Sequence, residues 1–557
     1  MTHSGRNIVM LKTIGTAALL SGTATLAAAQ MQCDGLTPEA LGLSGVTFTD
    51  VAAVPAGDDN PAAQCRIRAT TAERTGTDGR AYALRFELAL PEVWNGDYVH
   101  QFNGGNDGEV KPATGGMGAG TGEQTPLARG FAVVSSDAGH DGKAVADAGL
   151  AGGARFGFDF EARQMYGYKA VAVLDPLARQ IVEAFYGAGI GHSYGVGCSN
   201  GGRHALVAAS RMPEAFDGLL AGAPGYNLPK AALQHAVDVQ ALTAITGDLA
   251  TAFSPDDLQT VANGVLAACD ALDGLQDGLV MDTAACQASF DSAALQCTDG
   301  QNSACLSPEQ VTALDIIHAG TPDGGTPVYS DFPWDTGIAG GGWRFWKLES
   351  PIPPWGKKPI IAVMGASSLA QVFTTPPTEV AGDPDTLEQF LKDFDLSTRA
   401  AEIYATSEAY PESAMEVMTP PGSDNPELAA FRDAGGKMIV FHGVSDPVFS
   451  VNDTANWYSK LDSNNAGKAA AFARFYPVPG MTHCSGGPAV EGFDMFAELV
   501  AWVENGTEPQ AVTATARASN RDLPEAMADI SRPLCPAPTV ARYTGGDEGM
   551  AESFTCE

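Results

Sequence analysis

The sequence predicts an α/β fold in which a mostly parallel sheet carries helices on both faces. Short β-type runs alternate with longer helical ones along the chain. The alternation pauses once, between about 226 and 422, where strand signals are few. With 557 residues and 45% hydrophobic content, the chain can bury the core of one large elaborated domain or of two domains.

Residues 1–29 read as a secretory signal peptide: Arg6 and Lys12, an apolar stretch over 14–26, then Ala27-Ala28-Ala29. Translation from Met1 or from Met10 would both give such a leader. No later stretch approaches the roughly 18 uninterrupted apolar residues of a membrane helix. The expectation is an exported, soluble protein, secreted or periplasmic.

Strands are expected at Tyr98–Phe102, 131–135, Ser193–Cys198, 218–221, 438–441 and 473–476, with amphipathic helices at 160–186, 203–209 and 492–505. This divides the chain into a sheet-forming part at 30–225, an insertion at 226–422 and a second sheet-forming part at 423–557. The insertion is rich in Gly, Pro and Asp and holds four cysteines and four of the seven tryptophans. There is no internal repeat and no low-complexity tract.

Acidic side chains outnumber basic ones 66 to 32, for a net charge of −34 spread along the chain. Such a surface repels phosphate backbones and anionic lipids, which argues against nucleic acid or membrane partners. Ten cysteines in an exported chain read as disulfides. Spacing does not determine connectivity. Pairing sequence neighbours gives Cys33 with Cys65, Cys269 with Cys286, Cys297 with Cys305 and Cys535 with Cys556, and leaves Cys198 with Cys484. That last bridge would draw together Ser199 and His483, each beside one of its cysteines.

Gly-x-Ser-x-Gly occurs twice, around Ser193 and around Ser199. The motif exposes a nucleophilic hydroxyl only where a strand enters and a helix leaves it. Ser199 satisfies that requirement, since 203–209 is a helix-favouring run of small residues; Ser193 reads as a strand residue. An acid and a base should follow on loops after later strands. Asp446 follows the run 437–441, and His483 follows 472–478. Taken singly, Asp446 is also a turn residue before Pro447 and His483 a surface histidine.

Several segments together resemble the tannase and feruloyl esterase family of secreted α/β-hydrolases. They are Trp94-Asn95-Gly96-Asp97, Asn103-Gly104-Gly105, residues 130–140 and 197–203, residues 216–224, His442-Gly443 with Asp446, and Pro479-Gly480-Met481 with His483-Cys484. The resemblance implies an α/β-hydrolase fold whose catalytic domain is interrupted by a lid domain at 226–422, and a disulfide joining Cys198 to Cys484. It makes Ser199 the nucleophile, His483 the base and Asp446 the residue that orients it. The oxyanion would be held by the Asn200 N–H and by Gly104 or Gly105. Its substrates would be esters of aromatic acids such as gallate or hydroxycinnamates, or a terephthalate monoester.

Residues 269–279 hold three carboxylates spaced by glycines, a composition that can wrap a hard cation, although not at EF-hand spacing. The resemblance implies a structural Ca²⁺ bound there by Asp270, Asp273 and Asp277 with the carbonyls of Leu275 and Leu279. Trp334, Trp343, Phe345, Trp346, Trp355 and Phe373 either wall a pocket for an aromatic acid or form the core of the insertion. Arg344 or Lys347 would pair with a substrate carboxylate, or else stand as ordinary surface cations. Competing readings are a lipase or peptidase, and an inactive calcium-stabilised binding protein built on a hydrolase scaffold. Oligomeric state is not readable from the sequence.

Overall fold

The computed structural model describes residues 1, 33–57, 60–298, 304–320 and 328–557. Apart from Met1, the expected signal peptide with its second start at Met10 lies outside the described residues. A nine-stranded sheet runs in the order β1-β2-β3-β5-β4-β6-β7-β8-β9. An antiparallel edge of β1 (Val46–Val54), β2 (Gln64–Thr75) and β3 (Ala81–Pro91) joins parallel strands β4 (Tyr98–Phe102), β5 (Ala132–Ser136), β6 (Ser193–Cys198), β7 (Gly218–Gly222), β8 (Lys437–Gly443) and β9 (Ala473–Val478).

Period-two burial explains the sheet. Leu219, Ala221, Met438 and Val440 face a core shared with the helices Ala170–Tyr186, Asn200–Arg211 and Val451–Asn464. Leu220, Ile439 and Phe441 face the opposite core, closed by Phe496, Leu499 and Trp502 of the helix Met495–Asn505. Both faces of the parallel strands are therefore dry, which is why they read as near-continuous apolar runs. The six expected strands are all present, four of them differing by one or two residues at an end. The edge strands β1 to β3 were not expected. Leu84, Phe86, Leu88 and Leu90 of β3 alternate inward, but Arg85 and Glu87 between them conceal the run.

Between β7 and β8 none of the described residues forms a strand of the sheet; the described stretch is largely helical, including Leu228–Thr246, Pro255–Cys269 and Pro308–Ala319. Two of these helices open on capping boxes, Ser254 with Asp257 and Ser307 with Gln310, each with proline at the first helical position. Their packed residues Leu233, Val261, Leu314 and Leu369 form one core that also takes in Tyr166, Val448 and Phe449 beside the site. The ten cysteines form five disulfides: Cys33–Cys65, Cys198–Cys484, Cys269–Cys286, Cys297–Cys305 and Cys535–Cys556. Among the described residues, no helix is long and apolar enough to cross a membrane.

Candidate active site

Strand β6 ends at Cys198, and the next residue, Ser199, takes φ 66° and ψ −127° before the helix Asn200–Arg211 begins. A non-glycine residue there is strained, and the strain projects the hydroxyl at the strand's C-terminal edge. Flanking glycines make the turn sterically possible. A Cβ on Gly201 would lie 2.4 Å from the Phe102 carbonyl oxygen, and one on Gly202 2.4 Å from that of Gly222. Ser193 sits differently: it opens β6, is buried, and its hydroxyl donates to Asp217 at 2.9 Å.

The loop after β8 carries Asp446 and the loop after β9 carries His483, whose Nδ1 lies 2.7 Å from Asp446 Oδ2. Asp446 Oδ1 accepts the N–H groups of Val448 and Phe449 at 2.9 and 3.0 Å. His442 Nε2 stands 3.2 Å from Oδ2. Burial alone would raise this carboxyl, but the histidines outweigh it and hold Asp446 well below the usual carboxylate range. Among the described residues, His483 Nε2 is buried with no protein partner. Its ring is held edge-on by Trp346 and Phe449, at centroid distances of 4.9 and 5.4 Å. The Cys198–Cys484 bridge, with Cα atoms 6.0 Å apart, joins the residue before Ser199 to the residue after His483.

The Asn103-Gly104-Gly105 turn lies against Ser199: a Cβ on Gly104 would stand 3.6 Å from Ser199 Cβ and 4.0 Å from its Oγ. Asn103 anchors the turn by donating to Ser135 Oγ and the Ser136 carbonyl at 3.0 and 2.7 Å. Among the described residues, the N–H groups of Gly104, Gly105 and Asn200 have no protein acceptor. These amides belong to the turn packed against Ser199 and to the residue that follows it, and an unengaged N–H of this kind is what a developing oxyanion requires.

Several residues that shape this site have no role assigned from the sequence. Asp107 is buried and accepts from Asn200 Nδ2 at 2.8 Å, with His204 Nε2 3.1 Å away; burial pushes its carboxyl up to about 7. Arg203, fully buried, donates to the Tyr166 and Gly167 carbonyls at 2.9 and 2.8 Å and so ties the helix behind Ser199 to the π-helical turn Met165–Lys169. Asp335 of the insertion accepts from Ser445 Oγ at 2.8 Å and from the Gly480 N–H at 2.7 Å, bracing both loops that carry Asp446 and His483.

Ser199 opens into a cleft walled by Trp346, Phe373, Phe449, Leu228, Tyr166 and Met364, with His235 among them. Tyr166 and Met364 each lie on a π-helical turn, Met165–Lys169 and Ile361–Gly365, a distortion that is frequent at functional sites. Of the six aromatic residues singled out in the insertion, Trp346 and Phe373 line the cleft. Trp343 is core, Trp334 stacks on His318, and Trp355 stacks on Phe345. Lys347 is buried in an ion pair with Asp238, and Arg344 is bound to Glu349 and the Phe253 carbonyl. Among the described residues that line the cleft there is no lysine or arginine.

In the acidic loop, Asp270 Oδ1 accepts from the N–H groups of Asp277 and Gly278, while Asp273 and Asp277 close their own turns onto Leu275 and Leu279. Asp273 Oδ2 is buried without a partner, and burial, with the charges of Asp277 and Asp270 beside it, pushes that carboxyl up to about 6. The carbonyls of Leu275 and Leu279 accept no hydrogen bond from the described residues. Arg532 engages one oxygen of Asp277. The unpartnered carboxylate oxygen and the two free carbonyls are the oxygen donors a hard cation takes, although the carboxylates of Asp270, Asp273 and Asp277 are not drawn together into one ligand cluster among the described residues.

The profile of the family described as "Tannase and feruloyl esterase" matches residues 67–557. The chain is 38% identical over 518 residues to mono(2-hydroxyethyl) terephthalate hydrolase of Piscinibacter sakaiensis, covering 88% of this chain and 84% of that protein. It is 27% identical over 481 residues to a probable feruloyl esterase B-2 of Aspergillus flavus, covering 81% and 80% of the two chains. Among solved structures, feruloyl esterase B from Aspergillus oryzae superposes with a TM-score of 0.71 over 92% of this chain and 97% of that one, at 23% identity. The agreement extends from the sheet to the helical insertion, and the chain belongs to the tannase and feruloyl esterase family of carboxylic ester hydrolases.

Proposed function

We propose that the protein is an exported serine esterase that hydrolyses esters of neutral aromatic carboxylic acids through an acyl-enzyme. The observation that carries this reading is the His483–Asp446 pair, its Nε2 left free, bridged by a disulfide to the turn that bears Ser199 above an aromatic cleft. Ser199 Oγ attacks the ester carbonyl as His483 Nε2 takes its proton, and the oxyanion forms among the N–H groups of Asn200, Gly104 and Gly105. His483 then protonates the departing alcohol. Water, deprotonated in turn by His483, releases the acid. The five disulfides support an oxidising compartment outside the cytoplasm.

The described lining of the cleft offers no lysine or arginine, which favours uncharged acyl groups over a terephthalate monoester, whose free carboxylate would be desolvated without a cationic partner. Release of acid from methyl gallate, methyl ferulate, methyl caffeate, a terephthalate monoester and a long-chain fatty ester tests this. Turnover of the first three ahead of the last two is expected. Preference for the terephthalate monoester would transfer to this chain the activity for which its 38% identical relative is named. A folded protein inert towards every ester would leave a binding scaffold.

The Cys198–Cys484 bridge is expected to serve geometry more than stability. Cys198→Ala with Cys484→Ala should lower kcat about 100-fold, the scale of an ångström-sized misplacement of reacting groups. In the chain-entropy view, a loop of this length contributes about 5 kcal/mol, or roughly 5 °C in Tm for a chain of this size. Stopped assays and thermal melts on the same samples separate the two; a fall in Tm with kcat nearly intact would make the bridge a mere staple.

We also propose that the loop of Asp270, Asp273, Leu275, Asp277 and Leu279 holds a structural Ca²⁺. At about 100 times its Kd such an ion adds roughly 2.7 kcal/mol. Chelation should therefore lower Tm by a few degrees while initial rates below the new melting point hold, and Asp273→Asn should abolish the response to added Ca²⁺. Immediate loss of activity in a folded protein would point to a catalytic metal instead.

A further inference from the structure

His235 is a polar side chain in the cleft to which the ester chemistry gives no task; Asn106 and Ser368, which also line it, are paired with each other at 3.0 Å. It shares one face of the helix Leu228–Thr246 with Leu228 and Ala232, at helical spacing, and all three line the cleft with Ser199. The residue is 8% exposed, yet neither Nδ1 nor Nε2 has a hydrogen-bond partner among the described residues. Burial, reinforced by the charge of Lys347, pushes its pKa down to about 3, so the imidazole is neutral. A neutral imidazole offers one N–H donor and one bare nitrogen. Keeping both unpaired inside an apolar wall is costly. The ring lies against Gly365, the end of the π-helical turn and itself part of the cleft lining, where a Cβ would lie 2.3 Å from His235 Nδ1, so glycine is what leaves room for the imidazole there.

We propose that His235 is a specificity residue that pairs with a hydroxyl on the aromatic ring of the bound ester and selects hydroxylated acids over bare-ring ones. A phenol both donates and accepts, so it satisfies whichever ring nitrogen faces it. A carboxylate only accepts, so it could pair only with the ring nitrogen that carries hydrogen. The inference rests on the aromatic-ester reading above and adds the feature of the ring that is recognised.

The test is kcat/KM for methyl 4-hydroxycinnamate and methyl cinnamate, esters that differ by one hydroxyl, in the parent, His235→Leu and His235→Gln. Sites built to pair a substrate hydroxyl discriminate strongly against the analogue that lacks it. The hydroxylated ester is expected to be preferred by the parent, and the ratio to fall at least tenfold in His235→Leu. Part of the preference should return in His235→Gln, which keeps a donor and an acceptor. A ratio near one in the parent, or one unchanged by His235→Leu, overturns the proposal while leaving the esterase intact. A folded parent that hydrolyses neither ester removes the aromatic-ester reading and this inference with it. Should His235→Leu fail to fold, Gly365→Ala displaces the ring from the facing wall, and the same fall in ratio is expected; an unchanged ratio there counts against the role of His235.

Discussion

Ser199→Ala is expected to lower kcat by roughly 10⁴ to 10⁶-fold, the loss that follows removal of an activated serine when the remaining site still binds substrate and stabilises charge. Stability should hardly change. The backbone strain at φ 66° is the same for alanine as for serine, and the main-chain bond from Ser199 N–H to the Gly222 carbonyl at 2.9 Å does not involve the side chain. Ser193→Ala supplies the contrast. Its hydroxyl and its amide both bind the Asp217 carboxylate, at 2.9 and 2.8 Å, and removing the hydroxyl from this buried position costs about 1–3 kcal/mol. The two variants should therefore separate cleanly: one inert and stable, the other active and melting earlier. Activity surviving in Ser199→Ala, or vanishing in a folded Ser193→Ala, would displace Ser199 as nucleophile. Stoichiometric labelling by a fluorophosphonate, lost only in Ser199→Ala, gives the same answer without a substrate.

What could be read in the sequence and what could not divide along a physical line. The placement of Ser199, Asp446 and His483 at one edge of the sheet is legible because each follows a run that reads as a buried strand, and a buried parallel strand delivers its next loop to one edge of the sheet. The cleft is not legible. Tyr166 and Met364 reach it through π-helical turns, and a one-residue change in helical register leaves no mark on composition. Trp346 and Trp334 are alike in sequence, yet one packs on the His483 ring and the other on His318. Their separation depends on how the insertion's helices pack, not on local pattern. Asp107 and Asp335 were lost among 66 acidic side chains; only burial distinguishes them from a solvated surface. The sheet edge β1 to β3 was hidden for the related reason that one of its faces is studded with charge. Arg68 on β2 pairs with Glu87 on β3 at 2.9 Å, and such cross-strand pairs read in one dimension as polar loop.

Asp446→Asn should cost about 10⁴ in kcat with the fold intact, the scale seen when the orienting acid of a triad becomes an amide, and the surrounding bonds fix the reason. Oδ1 accepts two main-chain N–H groups, from Val448 and Phe449, so in the variant the amide oxygen must occupy that position. The NH₂ group is thereby turned toward His483 Nδ1 and His442 Nε2. His442 cannot yield: its Nε2 faces the Phe449 carbonyl at 3.0 Å and must carry the proton, while Nδ1 accepts from Thr454 at 2.9 Å. Relief must come from His483, which is driven to the tautomer with bare Nδ1 and protonated Nε2. A protonated Nε2 presents hydrogen, not a lone pair, to Ser199, and the hydroxyl loses its base. Asp446→Ala removes the wrong donor along with the right acceptor and should therefore be no worse in kcat, though less stable, since the two loop amides lose their acceptor in a buried site. Steady-state rates and melts of both variants decide the matter. A loss below tenfold in Asp446→Asn would reduce Asp446 to a turn residue and require another carboxylate to orient His483.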